Sequence, residues 1–407
     1  MSDSKSYSGK TEVKTGHPFS VMGLIVALGI VFGDIGTSPL YVMKAIVGAS
    51  RNTDADYIIG ALSCIIWTLT LQTTTKYVLI ALRADNKGEG GILALYSLIK
   101  RFRLKWIYLP AALGASMLIA DGVITPAVTV TSAIEGLEPL WDGAPVVALS
   151  LIIISIIFFI QQFGTAKIGK CFGPYMLMWF LLLGIMGALS ISYYPAVIKA
   201  FNPWYAVKLL ISSPEWFLIL GAVFLCTTGA EALYSDLGHC GRLNISVSWI
   251  FVKVMLIVNY LGQGAWIISS GSGSIGLNPF YGIMPHAFQP FGIAISTGAA
   301  IIASQALISG SFTLFSEAIN LSLWPRLKIK YPTLRRGQLY IPSVNLLLYI
   351  GCVATVLLFE SSSRMEAAYG LAITVTMLMT TVMMTLYLLH KGCLLYTSPS
   401  PRDRSLS

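Results

Sequence analysis

The chain has 407 residues, of which 55% are hydrophobic and only 11% charged; 27 Lys and Arg against 18 Asp and Glu give a net charge of +9. Mean hydropathy is +0.74, whereas a soluble domain carries about 25% charged residues, so a globular enzyme is excluded and an all-α integral membrane protein is expected. The positive charge does not argue for nucleic acid, because the basic residues stand in short loops between apolar runs, where they set membrane orientation.

Residues 1–18 are polar and are read as a cytoplasmic tail; no cleavable signal peptide is evident, since the first apolar run leads into an interrupted segment and not a small-residue cleavage site. Crossing a bilayer takes about 20 apolar residues. On that ruler ten segments follow, at 21–49 (broken), 57–82, 106–137, 146–161, 172–191, 216–237 (broken), 245–268, 291–315, 341–359 and 367–389. They make up a single ten-helix transmembrane core over 19–394.

Loop charges alternate along the whole chain. Lys5, Lys10 and Lys14 precede the first segment; Arg83, Lys87, Lys100, Arg101, Arg103 and Lys105 follow the second; Lys167 and Lys170 follow the fourth; Arg242 follows the sixth; Arg326, Lys328, Lys330, Arg335 and Arg336 follow the eighth. The intervening loops are poorer in positive charge (Glu138 and Asp142, Lys199 and Lys208, none in 269–290, then Glu360, Arg364 and Glu366). Both ends of the ten-segment unit are therefore expected in the cytoplasm, in a multi-pass protein of the cell membrane.

The first segment contains "GDIGTSPLY" (33–41), where two glycines, a proline and Asp34 interrupt the apolar run. The sixth reads "GAVFLCTTGAEALYSDLGHCG", again apolar, then two threonines, Gly229, Glu231 and Gly238. Matching interruptions five segments apart point to an inverted five-plus-five repeat of the transporter kind, with broken first and sixth helices. An unwound backbone at membrane depth is tolerated only where it lines a polar cavity or meets an ion. Half-helix carbonyls and a carboxylate beside them would attract a cation, and Pro39 suits the first turn of the second half-helix.

The third segment, "LIADGVITPAVTVTSAIEG", carries Asp121 near its centre, with Thr125 and Thr129 at intervals of four on the same helix face. A charge at a helix centre costs about 2.5–3.5 kcal/mol, so Asp34, Asp121 and Glu231 together cost on the order of 8–10 kcal/mol, while a central leucine returns only about 0.5. No equally buried Lys or Arg is evident, so a bound cation or a proton is the natural counter-charge. Glu135, Glu317 and Glu366, near segment ends, read as structural, and Asp236 and His239 as solvated or capping. "NKGEGGILAL" (86–95) lacks the ending of a phosphate loop. The six cysteines are scattered and read as small core residues, the four histidines suggest no metal site, and Trp106, Trp141, Trp204, Tyr205 and Trp216 read as an interfacial belt.

Together, "GDIGTSPLY", "NKGEGGILAL", "DGVITPAVTVTSAIEGLE" and "TTGAEALYSDLGHCG" resemble the KUP/HAK/KT family of potassium uptake transporters, over about 17–389. The resemblance implies the amino acid–polyamine–organocation fold and proton-coupled potassium uptake by alternating access. It implies a potassium site among Asp34, Tyr41, Asp121, Thr125, Thr129 and Thr228, with Glu231 as the proton-coupling carboxylate. No cofactor is expected, the transported potassium ion and proton aside, and the partners are those ions, the lipid bilayer and a homodimer. Family members continue through two more helices and a cytosolic domain, which would bear on dimerisation and nucleotide regulation. Here "LYTSPSPRDRSLS" closes the chain, and residues 395–407 are expected to be a non-native or disordered tail on a truncated chain.

Two rivals bear on the same residues. An amino-acid symporter on the same fold would bind its substrate carboxylate at half-helix amides, where Asp34 would repel it. An intramembrane aspartyl protease using Asp34 and Asp121 would show paired YD and GxGD motifs, but Ala120 precedes Asp121, and Val31-Phe32 precede Gly33-Asp34.

Overall fold

An apolar run can cross lipid only if its backbone hydrogen bonds close within the run, and each of the ten runs is accordingly helical. The computed structural model describes residues 19–86, 88–102, 105–141, 143–163, 169–331 and 339–396. Outside them lie the polar tail 1–18, the closing residues 397–407, and Lys87, Arg103, Asp142, Lys167, Arg335 and Arg336 of the loop charges; the side chains of Lys105, Lys170 and His239 are also outside the description.

The first run divides into α1 (Val21–Ile30) and α2 (Gly33–Thr37), which continues as a 3-10 turn (Ser38–Leu40); the axis bends by 66° between the two halves before α3 (Val42–Ser50) resumes. α4 (Ala55–Thr68) passes directly into a twelve-residue π-helix, Leu69–Ile80, within a 29-residue span. α5 (Ile92–Lys100) occupies the connection to α6 (Tyr108–Ile134), which is followed by α7 (Val146–Gln161) and α8 (Gly169–Ile191). α9 (Trp204–Ser212) lies in the connection to the sixth run. That run comprises α10 (Trp216–Phe224), a 3-10 turn (Leu225–Thr227), α11 (Ala230–Ser235) and α12 (Leu237–Cys240). α13 (Arg242–Ser270), a short α14 (Pro279–Gly282), α15 (Gln289–Asn320), α16 (Pro342–Phe359) and α17 (Ser362–Tyr396) complete the chain.

Among the described residues eight helices are long and apolar enough to cross a membrane, nine with the bent first pair, and the 16-residue α7 is the tenth apolar run. Among the described residues there is no strand, only two isolated bridges, Asn86 with Glu89 and Lys330 with Tyr340. The all-α membrane class read from composition therefore holds. The two expected breaks differ in degree: the first bends sharply, while the sixth run stays one 20-residue span, Trp216–Ser235, with its interruption inside it.

α6 is the hub, packed against α7, α15, α16 and α17, while α1 and α13 flank α8. Buried aromatics, Trp179, Trp249, Phe180 and Phe280 among them, fill the interior. The outer faces carry Ile152, Phe159, Ile185, Leu189, Ile250, Ile350 and Leu357, all more than half exposed, as lipid contact requires. Trp106, Trp141, Trp204 and Trp216 are exposed as well, in keeping with a belt. Cys64, Cys226, Cys240 and Cys352 are buried, but Cys171 is exposed and is not the core residue the sequence suggested.

Candidate cation site

The first break frees backbone carbonyls at membrane depth, and side chains take several of them. Trp179 Nε1 donates to the Gly36 carbonyl (2.9 Å), Gln263 Nε2 to Pro39 (3.0 Å) and Asn278 Nδ2 to Leu40 (2.9 Å). Thr37 and Ser38 return their hydroxyls to the carbonyls of Asp34 and Ile35. Pro39 sits inside the 3-10 turn, where its missing amide is not needed. These carbonyls are thus held by α8, α13 and the 269–288 connection, and it is side-chain oxygen that the break offers to a cation.

The second break meets the first. Thr228 is extended (ψ 142°) and Gly229 is left-handed (φ +79°), so the helix stops and restarts within two residues. A Cβ on Gly229 would lie 2.8 Å from the Ile35 nitrogen and 3.0 Å from Asp34 Cβ. Only glycine combines that φ with that approach. The same junction brings the Tyr41 hydroxyl to 3.1 Å from Thr228 Oγ1.

α6 and α17 close the site. Thr125 Oγ1 lies 2.7 Å from Asp121 Oδ1 and 2.9 Å from the Tyr369 hydroxyl, and Tyr369 donates to Asp34 Oδ1 at 3.3 Å. Thr125 and Tyr369 own one hydroxyl proton each, so with both carboxylates ionised these two protons fill only two of the three contacts at a time. The Tyr41 and Tyr369 rings meet edge to face at 5.9 Å. Asp34 and Asp121 are 4% and 5% exposed, and Asp34 Oδ2 finds no hydrogen-bond donor among the described residues. Asp34, Tyr41, Asp121, Thr125 and Thr228 therefore converge. Thr129 is buried one turn further along α6, with its hydroxyl turned back to the Thr125 carbonyl.

Glu231 stands apart from that cluster. It follows the second break on α11, accepts a hydrogen bond from the Tyr77 hydroxyl, and leaves Oε2 without a described partner. Tyr77 in turn accepts from Lys76 Nζ (3.1 Å), which also donates to the Met377 carbonyl (2.7 Å). The sequence showed no Lys or Arg as deeply buried as the carboxylates, and Lys76 is only partly buried, but it reaches Glu231 through Tyr77. Lys76 lies seven residues inside the end of the second span, Ala55–Arg83.

Other marks resolve structurally. Glu135 accepts from Lys44 Nζ (2.8 Å) and from the Ser362 amide and hydroxyl (2.8 and 2.6 Å), tying α3, α6 and α17 together at one end of the bundle. The glycine-rich 86–95 loop packs onto the sixth run: a Cβ on Gly91 (φ +93°) would lie 3.0 Å from Ser235 Oγ. A cavity of about 40 Å³ leads from Asp34 past Leu307 and Ser311 to Asp236 and Glu317. The sequence reading missed Tyr369, Tyr77 and Lys76. Tyrosine inside an apolar run carries no anomaly, and its only signal here was that three carboxylates needed donors.

The match to known families agrees with this geometry. A family model described as "K+ potassium transporter integral membrane domain" covers residues 21–397. A probable potassium transport system protein Kup of Flavobacterium johnsoniae is 57% identical over 386 residues, covering 93% of this chain and 59% of that protein. The like-named proteins of Cytophaga hutchinsonii and Enterococcus faecalis are 55% and 53% identical, each over 92% of this chain and 58% of its own length. The chain thus spans somewhat under 60% of the length of these relatives. The family is one of transporters and not of enzymes, which sets the protease reading aside. Two interrupted helices meeting at a buried carboxylate suit such a domain, and with the family model covering nearly all of the described chain, this protein belongs to the K+ potassium transporter family.

Proposed function

We propose that the chain is the membrane core of a potassium uptake system of the cell membrane, with its N-terminus in the cytoplasm. The observation that carries this reading is the meeting of the two breaks: Gly229 abuts Asp34, whose Oδ2 is buried and without a described donor. Carboxylate, hydroxyl and phenol oxygens are hard ligands suited to an alkali cation. Asp34, Asp121, Thr125, Thr228 and Tyr41 would hold the ion, with Thr129 one turn beyond. Its charge offsets two carboxylates that share one hydrogen-bonded network.

Access would alternate around this site by movement of one five-helix repeat against the other, the repeats being inverted because five is odd. Glu231 would carry a co-transported proton, bound from outside and released inside. At 100 mV inside-negative each entering charge gains about 2.3 kcal/mol, so the proton doubles the electrical drive. A homodimer would form through parts the relatives have beyond the matched region. An amino-acid symporter is disfavoured by Asp34, which stands where a substrate carboxylate would bind.

Potassium uptake in a potassium-transport-deficient bacterium, measured at two external pH values, tests this. Uptake stimulated by acid and lost in Asp34→Asn at equal membrane level is expected; uptake in Asp34→Asn equal to the parent's would overturn the site.

A further inference from the structure

The Lys76–Tyr77–Glu231 arrangement has no part in holding the cation, yet it is built with care. Its first two members, the partly buried Lys76 and the buried Tyr77, are consecutive residues of the π-helix Leu69–Ile80. Hydroxyls hold that turn open, Thr74 Oγ1 reaching back to the Leu69 carbonyl (3.2 Å) and Thr75 Oγ1 to Thr70 (3.1 Å), each five residues earlier. Trp249 Nε1 on α13 then fixes Thr74 at 2.9 Å. The Lys76 ammonium lies over the Tyr77 ring at 4.5 Å and is held by the Met377 carbonyl of α17, which also accepts from Thr381. α17 is the helix that supplies Tyr369 to the ion site, about 12 Å away along its axis at about 1.5 Å per residue.

Within this unit every donor points one way. Lys76 N–H donates to the Tyr77 oxygen, and the Tyr77 O–H donates to Glu231. Each bond polarises the next, and the end of such a chain favours a charged acceptor. With Glu231 ionised, the ammonium is balanced through Tyr77. Once Glu231 gains a proton on Oε2, the ammonium keeps the Tyr77 oxygen and the Met377 carbonyl but loses its counter-charge in a poorly solvated setting, which is unfavourable. The other titratable groups facing Glu231 are Tyr234 on α11 itself and Asp121 on α6. α17 adds the Thr380 hydroxyl. From α15, Glu317 acts on Tyr234. Among the described residues, the cation acting on Glu231 is Lys76.

We propose that Lys76 is a positioning residue for the coupled proton: acting through the Tyr77 hydroxyl, its ammonium holds Glu231 as a carboxylate and so sets the pH range over which uptake responds to external acid. This deepens, and rests on, the reading that Glu231 carries that proton.

The test is the pH profile of potassium uptake for the full chain, normalised to membrane level, in Lys76→Gln, Lys76→Arg, Tyr77→Phe and Glu231→Gln. Removing the cation removes what favours the carboxylate, so in Lys76→Gln the midpoint of acid stimulation should move toward alkaline pH by about one unit. Lys76→Arg should keep the parental midpoint, and Tyr77→Phe, which leaves the charge but cuts the link, should move the same way as Lys76→Gln. A parental midpoint in both Lys76→Gln and Tyr77→Phe, with acid stimulation lost in Glu231→Gln, would overturn this inference and leave the role of Glu231 standing. Acid stimulation persisting in Glu231→Gln would instead overturn the reading beneath it. If Lys76→Gln fails to reach the membrane, the Tyr77→Phe midpoint decides, shifted in support or unshifted against.

Discussion

Gly229 holds the two broken helices together by having no side chain. Its φ of +79° and the 2.8 Å that a Cβ would leave to the Ile35 nitrogen make Gly229→Ala strained on both counts. The left-handed backbone alone costs roughly 1–2 kcal/mol, and the clash would push α11 off α2. A lowered melting temperature in detergent together with loss of uptake is expected; alanine tolerated in both assays would mean the breaks do not need this contact. Asp121→Asn should act differently. It keeps the volume and can still accept from Thr125, but removes half the charge offered to a cation. Uptake should fall at least tenfold with little change in melting temperature. Thr228 came only with the family resemblance, whereas Asp34 and Asp121 were legible in the sequence because a charge in an apolar run is an anomaly with few explanations. Tyr369 was not, because tyrosine is at home in a span; only its bonds to Asp34 and Thr125 reveal it.

Among the elements, α17 earns its place twice, carrying Tyr369 into the ion site and Ser362 onto Glu135 at its first turn. Glu135 is buried and Lys44 partly exposed, so this pair is worth more than a surface ion pair. Removing one partner of a fully buried pair costs about 3–5 kcal/mol; with Lys44 partly solvated, a loss of about 1–3 kcal/mol is expected for Glu135→Ala, read as a fall in melting temperature that added salt does not mimic. An unchanged melting temperature would show that α3, α6 and α17 hold together without it. The sequence placed Glu135 correctly as structural but could not show what it tied, since its partners lie 91 and 227 residues away. The π-helix of the second span was hidden as well. Hydropathy reads the same in α and π geometry, and only the hydroxyls reaching back five residues betray it.

At the scale of the molecule, ten apolar runs and an all-helical class followed from composition and run length because lipid leaves the backbone few other choices. The sharpness of each break did not follow: "GDIGTSPLY" bends by 66°, while the sixth run bridges its interruption and continues as one span. Orientation rests on loop charge alone. Single cysteines at Trp141 and at Arg101, in a chain with all six native cysteines replaced, should label with a membrane-impermeant maleimide from outside only at 141; labelling at 101 in intact cells would invert the topology. The central claim, that the meeting point of the two breaks holds potassium, is tested most directly by potassium-dependent stabilisation of the purified protein. A ligand at a hundredfold its dissociation constant stabilises by about 2.7 kcal/mol. The melting temperature should therefore rise with potassium at constant ionic strength in the parent and stay flat in Asp34→Asn; an equal rise in both would place the ion elsewhere.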